Sequence, residues 1–335
     1  MGTADHQPLA PKSQLPAPSS RTGLAYSPAF LRHETGAGHP ERPDRLRAVV
    51  AQLQRSGIWD RLDVWEPSPA ATDTLELVHA AAHVAYVRRI VERGGGRIDA
   101  DTVASAGSWE AALRAAGGLV EAVERVHDGR LDNAFCAVRP PGHHATPGQS
   151  MGFCLFNNVA IAAAWLLASG RVRRVAILDY DVHHGNGTQD AFYDRSDVLY
   201  VSTHQFPLYP GTGHWRETGA GPGEGYTLNM ALPPGSGDEV YAAALEQIVE
   251  PAVRRYQPDF VLVSLGFDGF WNDPLASLRL SIGGAYTPLV QSARALAGEL
   301  CDGRVVVGLE GGYDLGALGH GADMVCHVLH GESSP

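Results

Sequence analysis

Residues 174–187 read RVAILDYDVHHGNG, and this stretch decides how the rest of the sequence is interpreted. Its first half, 175–178, is a short apolar run with β-branched residues, which is typical of a buried strand. Its second half is polar and contains Asp179, Asp181 and His183. Because side chains alternate along a strand, these three residues share one face where the strand runs out into a loop. The stretch therefore predicts a buried strand that ends in two acids and an imidazole.

Four other runs share this apolar composition and are predicted to be strands of the same sheet. Continuous apolar strands separated by helical segments indicate an α/β fold in which a parallel sheet is covered on both faces. The four runs are AFCAV at 134–138, VLYVST at 198–203, DFVLVSLG at 259–266 and RVVVGLE at 304–310.

Helical segments alternate with these strands. Apolar residues recur at helical spacing across 46–53, which predicts an amphipathic helix there. Asp238 and Thr287 stand at the starts of two later helical segments and are candidate N-caps. The remaining predicted helices cover 108–126, 155–169, 238–256 and 287–300.

Polar, glycine-containing motifs follow four of the predicted strands at the point where each strand ends. PPGHH at 140–144 follows the first strand, and DYDVHHGNG ends the second. GFD at 266–268 ends the fourth, and EGGY at 310–313 ends the fifth. Open α/β sheets place their sites at the carboxyl ends of their strands. We therefore expect these four motifs to form one functional site.

Asp181, His183 and Asp268 are the candidate metal ligands. Taken alone, the DxDxH pattern at 179–183 fits a solvated strand end as well as it fits a metal site. Asp268 favours the metal, because a bare carboxylate directly after a buried strand is otherwise costly. Three protein ligands with an open position for water are typical of catalytic zinc, although oxygen-rich ligation also suits Fe(II) or Co(II).

His143, His144 and Tyr313 are the candidate catalytic side chains. A lone histidine pair is often a surface feature and a lone tyrosine often a core residue, but here both belong to the converging motifs. Amide hydrolysis needs a base for the attacking water and an acid for the leaving amine, and histidine titrates closest to neutral pH. A tyrosine hydroxyl can donate to the oxyanion that forms at the carbonyl.

The charge balance limits the classes of partner. With 37 acidic and 26 basic residues the net charge is −11, which argues against direct nucleic-acid binding because phosphate contacts need a basic surface. The same balance leaves room for cationic substrates. No apolar stretch approaches the ~20 residues of a membrane span, and no signal peptide is recognised, so we expect a cytoplasmic protein without membrane contact.

The organisation of the chain is expected to be simple. Residues 1–22 are polar and proline-rich and are expected to form a flexible tail, because they carry too little apolar surface to offset the entropy of ordering. Residues 23–335 are expected to form a single catalytic domain. Four cysteines without metal-type spacing are expected to be buried thiols, namely Cys136, Cys154, Cys301 and Cys326.

Together these motifs resemble the histone deacetylase superfamily, in particular its class II and bacterial amidohydrolase members. The resemblance extends from HPERP at 39–43 to the EGGY motif near 313. It implies the arginase-like fold, a three-layer α/β/α sandwich around a parallel sheet of about eight strands. The motifs occur in the family's order as RPPGHHA at 139–145, GFCLFNN at 152–158, LDYDVHHGNGT at 178–188, SLGFDGFWNDPL at 264–275 and LEGGY at 309–313.

The resemblance also implies a role for each residue of the predicted site. Asn186 stands where some members carry aspartate, so His144 has one anionic neighbour fewer and is expected to have a lower pKa. The implied roles are zinc ligation by Asp181, His183 and Asp268, general acid–base catalysis by His144, electrostatic support by His143 oriented by Asp179, and carbonyl polarisation by Tyr313.

Phe153 in GFC and Tyr209 in LYPGTG resemble the aromatic pair that walls the family's narrow substrate tunnel. Two rings that flank an alkyl chain suit an acyl-lysine or another acylated amine. Tyr209 replaces the phenylalanine that many relatives carry. Gly152 and Leu275 are counted with the same substrate-binding set, and Asp101 resembles the rim aspartate that accepts substrate amide hydrogens.

Structural potassium is implied by the same resemblance, and a homo-dimer or homo-tetramer is compatible with it. Potassium would bind to backbone carbonyls, with one hydroxyl at the first of two sites. The candidate sites are Asp179, Asp181 and His183 with the Ser202 hydroxyl, and Phe192, Arg195 and Val198.

The predicted function is zinc-dependent hydrolysis of an N-acyl amide on acyl-lysine or a related acylated amine. Leu275 favours acyl-lysine, because polyamine-selective relatives tend to carry an acid at the pocket mouth. The acidic composition favours a cationic substrate, so acetylpolyamine amidohydrolase stays as the alternative. Two remote alternatives are a binuclear manganese ureohydrolase and a non-catalytic acyl-amine binding protein. The first would need a second acid after Asp268, where the sequence reads Gly-Phe-Trp. The second would not need every catalytic position to be filled.

Overall fold

A parallel sheet of eight strands forms the centre of the computed structural model, which describes residues 20–332. Two further strands, the third and fourth along the chain, pair only with each other, as an antiparallel ribbon. The ten strands are β1 (Thr22–Ala25), β2 (Asp63–Trp65), β3 (Gly95–Arg97), β4 (Val103–Ser105), β5 (Asn133–Cys136), β6 (Val175–Asp179), β7 (Val198–Gln205), β8 (Thr227–Leu232), β9 (Phe260–Leu265) and β10 (Val305–Leu309).

Helices cover the sheet in two layers, which gives a three-layer α/β/α sandwich. The helices are α1 (Asp44–Ser56), α2 (Thr72–Leu75), α3 (Ala81–Glu92), α4 (Ser108–His127), α5 (Asn158–Ala168), α6 (Asn186–Phe192), α7 (Asp238–Ala244), α8 (Glu250–Tyr256), α9 (Thr287–Leu300) and α10 (Leu315–His330). Helix α10 packs against α1 and α9, and α4 packs against α5. None of the helices within residues 20–332 is long and apolar enough to cross a membrane.

The sheet order is β2-β1-β5-β10-β9-β6-β7-β8, and every neighbouring pair is parallel. In β5, β6, β9 and β10 every residue is buried, as expected for strands covered on both faces. These four strands carry the polar motifs, and they are direct neighbours in the sheet. Their carboxyl ends therefore present the four motifs side by side.

Two predicted N-caps are wrong. Asp238 is the first residue of α7, and its carboxylate accepts hydrogen bonds from the backbone and hydroxyl of Ser281 at 2.8 and 2.7 Å rather than from its own helix. Thr287 follows a π-helical turn, Ile282–Tyr286, whose cap is Ser281. Position alone suggested these caps. A tertiary contact engages Asp238, whereas Thr287 lies inside a helix that begins earlier, and its hydroxyl donates to the Ile282 carbonyl at 2.9 Å.

The predictions for the start of the chain and for the four cysteines can be compared with the structure. Strand β1 begins at Thr22, the last residue of the segment predicted to be a tail. Ser20 and Arg21 are hydrogen-bonded to His330 and Asp132, and residues 1–19 of that segment lie outside the described residues. All four cysteines are free and buried, which confirms the prediction of buried thiols.

Candidate active site

Asp181, His183 and Asp268 come together beyond the carboxyl ends of β6 and β9. One potential ligand atom from each lies within 4.8 Å of the others, and all three residues are buried. His183 Nδ1 lies 3.2 Å from Asp181 Oδ1 and 3.1 Å from Asp268 Oδ2. Within residues 20–332 this is the single group of three acids, histidines or cysteines arranged to share an ion.

The surroundings of this triad fit a divalent cation. Gly311 N–H donates to Asp181 Oδ2 at 2.8 Å and Val182 N–H donates to Asp268 Oδ1 at 3.0 Å, so each carboxylate turns its other oxygen towards His183. Burial alone would lower the pKa of His183, but the hydrogen bonds to the two carboxylates outweigh it and raise the pKa to about 10. One nitrogen and two oxygens in a buried, electronegative pocket are a donor set that suits zinc.

His143 lies against a carboxylate. Its Nδ1 is 3.1 Å from Asp179 Oδ2, and the Tyr200 hydroxyl donates to the same oxygen at 3.0 Å. Burial opposes a charge on the imidazole, but Asp179 and Asp181 outweigh it and raise the pKa of His143 to about 10. This imidazole is therefore held in its charged form.

His144 has a neutral partner instead. Its Nδ1 is 2.9 Å from Asn186 Oδ1, and because an amide oxygen only accepts, the proton sits on Nδ1 and Nε2 is left with a lone pair. Burial, followed by the positive charges of His143 and His183, lowers the pKa of His144 well below its usual value. The two ring centroids of His143 and His144 are 4.0 Å apart, so a charged and a neutral imidazole are neighbours.

Tyr313 projects from the turn after β10. Its backbone N–H donates to Asp273 Oδ2 at 2.7 Å, and its ring packs edge-on against Phe153 with centroids 5.9 Å apart. Burial raises the pKa of the Tyr313 hydroxyl well above its usual value, so the hydroxyl keeps its proton. It is therefore available as a hydrogen-bond donor.

A cavity of about 230 Å³ joins these groups to the surface. Gly152 has φ +55°, and a Cβ placed on it would lie 2.4 Å from His144 Cδ2, so only glycine allows this close approach of the loop to the imidazole. Tyr209 is 38% exposed, which places its ring at the outer part of the cavity. The lining residues are Asp101, His144, Gly152, Phe153, His183, Leu208, Tyr209, Leu275 and Tyr313.

Asp101 lines this cavity from the loop between β3 and β4. Its backbone carbonyl accepts a hydrogen bond from His39 Nε2 at 3.0 Å, and its N–H donates to Asp99 Oδ1 at 3.0 Å. Burial and the neighbouring Asp99 raise the pKa of Asp101. The carboxylate predicted for the rim therefore stands beside a second acid.

Two of the residues predicted to bind potassium, Asp179 and Ser202, lie side by side in the sheet. Ser202 is paired with Asp179 in the register of β6 and β7, and its hydroxyl is 2.8 Å from His204 Nδ1. At the second predicted site, the Phe192 carbonyl accepts a hydrogen bond from Arg195 N–H at 3.0 Å. Both potassium sites stay predictions.

Some residues of the site were not predicted. The Tyr200 hydroxyl contacts Asp179, the Asp273 carboxylate holds the Tyr313 backbone, and the Glu310 carboxylate accepts from Gly142 N–H at 2.6 Å. Asp273 and Glu310 both belong to motifs that were recognised, NDPL and EGGY. Their hydrogen bonds to the N–H groups of Tyr313 and Gly142 could not be predicted, because these partners are distant in sequence.

Comparison with known proteins agrees with this geometry. Residues 39–329 match the family model described as the histone deacetylase domain. The chain belongs to the histone deacetylase family. This family member is 45% identical over 300 residues to a probable deacetylase of Archaeoglobus fulgidus, covering 89% of this chain and 83% of that one.

Two further relatives of this histone deacetylase family member support the assignment. It is 40% identical over 285 residues to the histone deacetylase-like amidohydrolase of Pseudomonas aeruginosa, covering 85% of this chain and 75% of that one. The crystal structure of the HDA15 HD domain matches it with a TM-score of 0.88 and 39% identity, covering 94% of this chain and 90% of that one. The fold is thus the arginase-like sandwich that the motifs implied, and the chain is a hydrolase of the deacetylase type that acts on amides.

Proposed function

We propose that the chain is a zinc-dependent deacylase that hydrolyses the N-acyl amide of acyl-lysine or a related acylated amine. The observation that carries this proposal is one cavity whose lining combines the metal ligand His183, the neutral imidazole of His144 and the hydroxyl-bearing ring of Tyr313. A ligand, a base and an oxyanion donor are the parts that metal-assisted amide hydrolysis requires.

Asp181, His183 and Asp268 would hold the metal ion. When bound, zinc supplies Lewis acidity to the substrate carbonyl and to the attacking water. We also propose that potassium binds beside Asp179 and Ser202. Fe(II) and Co(II) stay as other candidates for the catalytic metal, since the same donors suit them.

His144 handles the protons in this proposal. Its Nδ1 is committed to Asn186, so Nε2 accepts a proton from the attacking water and then returns it to the leaving amine nitrogen. His143, held charged by Asp179, keeps a positive charge beside this transfer. The Tyr313 hydroxyl donates to the oxyanion that develops on the former carbonyl oxygen.

The shape of the cavity supports a linear amine substrate. Phe153 and Tyr209 present ring surfaces that suit an alkyl chain, and Leu275 adds an apolar side chain where an acid would favour a second cationic nitrogen. Asp101 at the same cavity and the net charge of −11 favour cationic substrates, so acetylpolyamine is kept as the second candidate.

Two remote candidates fit less well. A binuclear manganese ureohydrolase needs further bridging ligands, whereas the part of the chain that the structure describes holds one three-residue cluster. A non-catalytic acyl-amine binding protein would have no use for the paired imidazoles. A binding protein would be indifferent to replacement of His144, whereas a deacylase would lose about 10²-fold or more of its turnover.

The proposal is tested by steady-state kcat/KM for three substrate groups, each with and without a chelator. The groups are acetyl-lysine peptides, peptides with longer acyl-lysines, and N-acetylputrescine with N-acetylcadaverine. We expect turnover that chelator removes and zinc restores, with acyl-lysine preferred. A preference for the diamines by about a thousandfold, or about 4 kcal/mol, would make acetylpolyamine the substrate. Turnover that chelator leaves intact would rule out the metal mechanism.

A further inference from the structure

The HPERP motif at 39–43 has no part in the chemistry proposed above, yet its glutamate is one of the most buried charges in the protein. Glu41 has no exposed surface, and neither have its two partners, Arg45 and Arg139. Burying three charges is costly unless each is paired and hydrogen-bonded, so this cluster needs an explanation beyond packing.

Arg139 binds Glu41 with both arms of its guanidinium. Nε and Nη2 donate to the two carboxylate oxygens at 2.5 and 2.8 Å, which is the forked geometry that arginine makes with carboxylates. The remaining donors reach the carbonyls of Phe30 and His33 at 2.7 and 3.0 Å. Arg139 is the first residue of RPPGHH, so Glu41 anchors the start of the segment that ends in the two catalytic imidazoles.

Arg45 extends from the same carboxylate to the other catalytic turn. Its Nη1 donates to Glu41 Oε1 at 3.1 Å, while Nε and Nη2 donate to the carbonyls of Gly312 and Glu310 at 2.7 and 2.5 Å. The guanidinium carbon also lies 5.1 Å from the centre of the Tyr313 ring. Arg45 therefore fixes the backbone on either side of Gly311 and supports the ring that follows.

Glu310 closes these contacts into a ring. Its carboxylate accepts from the backbone N–H groups of Gly142 and His143 at 2.6 and 3.2 Å. The path runs from Glu41 through Arg45 to Glu310, across to Gly142, back along the chain to Arg139 and so to Glu41. The turn that carries His143 and His144 and the turn that carries Tyr313 are thus joined at two places. Glu310 joins them directly, and Glu41 joins them through Arg45 and Arg139.

We propose that Glu41 is a positioning residue that sets the distance between His144 and Tyr313. The inference rests on the deacylation proposed above, in which these two side chains act on one carbonyl from separate turns. Glu41 touches neither substrate nor metal ligands and acts through its two arginines. Misplacing a catalytic group by about 1 Å can cost about 10²-fold in rate. Loosening this closed path of hydrogen bonds would therefore reduce turnover without closing the substrate cavity.

The test uses Glu41→Gln, which keeps the size of the side chain and removes its charge and its second acceptor oxygen. We expect kcat to fall about 10²-fold while KM stays within about threefold of the parent value. Amide hydrogen exchange at 311–313 should become faster by about tenfold or more, since the turn has lost its anchor. Arg47→Gln is the matched control, because Arg47 lies one half-turn from Arg45 on α1 and makes an exposed pair with Asp44. Arg47→Gln should change neither kcat nor the exchange rate at 311–313.

Arg45→Lys is the second variant, in case Glu41→Gln does not fold. A lysine keeps the positive charge, but a single ammonium cannot serve the carboxylate and both carbonyls in the way the planar guanidinium does. It should reproduce the fall in kcat and the faster exchange. A folded Glu41→Gln or Arg45→Lys protein with parental kcat and parental exchange at 311–313 would overturn the proposal.

The exchange measurement also separates this inference from the proposed function. Hydrogen exchange at 311–313 is measured without substrate. A parent protein that hydrolyses no acylated amine would refute the proposed deacylation, but the contacts between the two turns could still be tested. Conversely, an active parent whose variants keep both kcat and exchange refutes the positioning role alone.

Discussion

His143 and His144 are consecutive residues with opposite electrostatic partners. A carboxylate, Asp179, contacts the first, and an amide, Asn186, contacts the second. The pKa of His143 is raised to about 10 and that of His144 is lowered, with burial acting against a charge on both rings. Neighbouring groups whose pKa values are driven apart are typical of an acid–base pair. The amide partner of His144, in place of a carboxylate, supports our proposal that His144 is the base.

Replacing His144 with alanine tests that assignment. We expect kcat/KM for the preferred acylated amine to fall by about 10²–10⁴-fold, which is the usual contribution of a positioned general base. Bound metal, measured by elemental analysis, should not change, because His144 is not one of the three ligands. His320→Ala is the control, since that histidine is exposed. Retention of activity within about threefold would contradict the assignment.

Tyr313→Phe removes a single hydroxyl and leaves the ring in its contact with Phe153. Because the hydroxyl would donate only when charge develops on the carbonyl oxygen, kcat should fall by about 10²–10³-fold with little change in KM. Tyr86→Phe on α3, where the ring is 41% exposed, should be silent. A change confined to KM would show that the hydroxyl binds ground-state substrate instead.

The loop at 145–157 depends on His79, which precedes α3. Asn157 N–H donates to His79 Nε2 at 2.8 Å, so the ring proton must be on Nδ1, which donates to the Thr146 carbonyl at 3.0 Å. This loop carries Gly152 and Phe153 into the cavity. Burial lowers the pKa of His79 to about 3, so the ring stays neutral and bridges both ends of the loop.

His79→Leu should therefore destabilise the protein in a way that depends on pH. At pH 7.5 two backbone groups lose their partners, at about 1–3 kcal/mol each. The folded pKa of His79 lies below its unfolded value, so the parent loses this contribution as pH falls from 6.5 towards 3, by up to about 1.4 kcal/mol per pH unit. The variant has no such loss, so the difference in free energy of unfolding between parent and variant should narrow as pH falls. Urea unfolding at pH 7.5, 6 and 5 measures this difference, and a difference that stays constant would contradict a neutral bridging His79.

The elements that the sequence predicted are those with strong local signals. The five central and buried strands, and the helices around 46–53, 108–126, 155–169, 238–256 and 287–300, all occur within a few residues of their predicted bounds. Strands β1, β2 and β8 of the sheet were missed, as were the ribbon strands β3 and β4 and the helices α2, α3, α6 and α10. TGLA and DVW are short, and TLNMAL is only partly buried, so none has the continuous apolar run that marks a central strand.

Contacts between residues far apart in the chain could not be predicted from the sequence, whereas residues at the strand ends could. Motifs at strand ends pointed to His144, His183 and Tyr313, which line the cavity, since parallel strands bring their carboxyl ends to one edge. The contact from Arg45 to Gly312 spans 267 residues and that from Glu41 to Arg139 spans 98. No local pattern records such contacts, so the residues behind the site were visible only once the chain was folded.

The net charge of −11 leads to a prediction about salt. An acidic protein with Asp101 at its cavity attracts cationic substrates over a distance that salt shortens, with a Debye length of about 30 Å at 0.01 M and about 8 Å at 0.15 M. The kcat/KM for N-acetylputrescine should therefore fall by up to about tenfold over that range, while that for an uncharged acylated amine should hardly change. Equal responses of the two substrates would show that the acidic surface does not steer binding.

The order of the sheet also has a consequence for biosynthesis. Asp268 comes 85 positions after His183, and Gly311, whose N–H donates to Asp181, comes 130 positions after Asp181. At about 5–20 residues per second, a growing chain spends several seconds with two of the proposed ligands made and the third not yet translated. The proposed cation pocket can form only after β9 and the turn that follows it have been translated, so binding of an ion has to wait until most of the chain has been made.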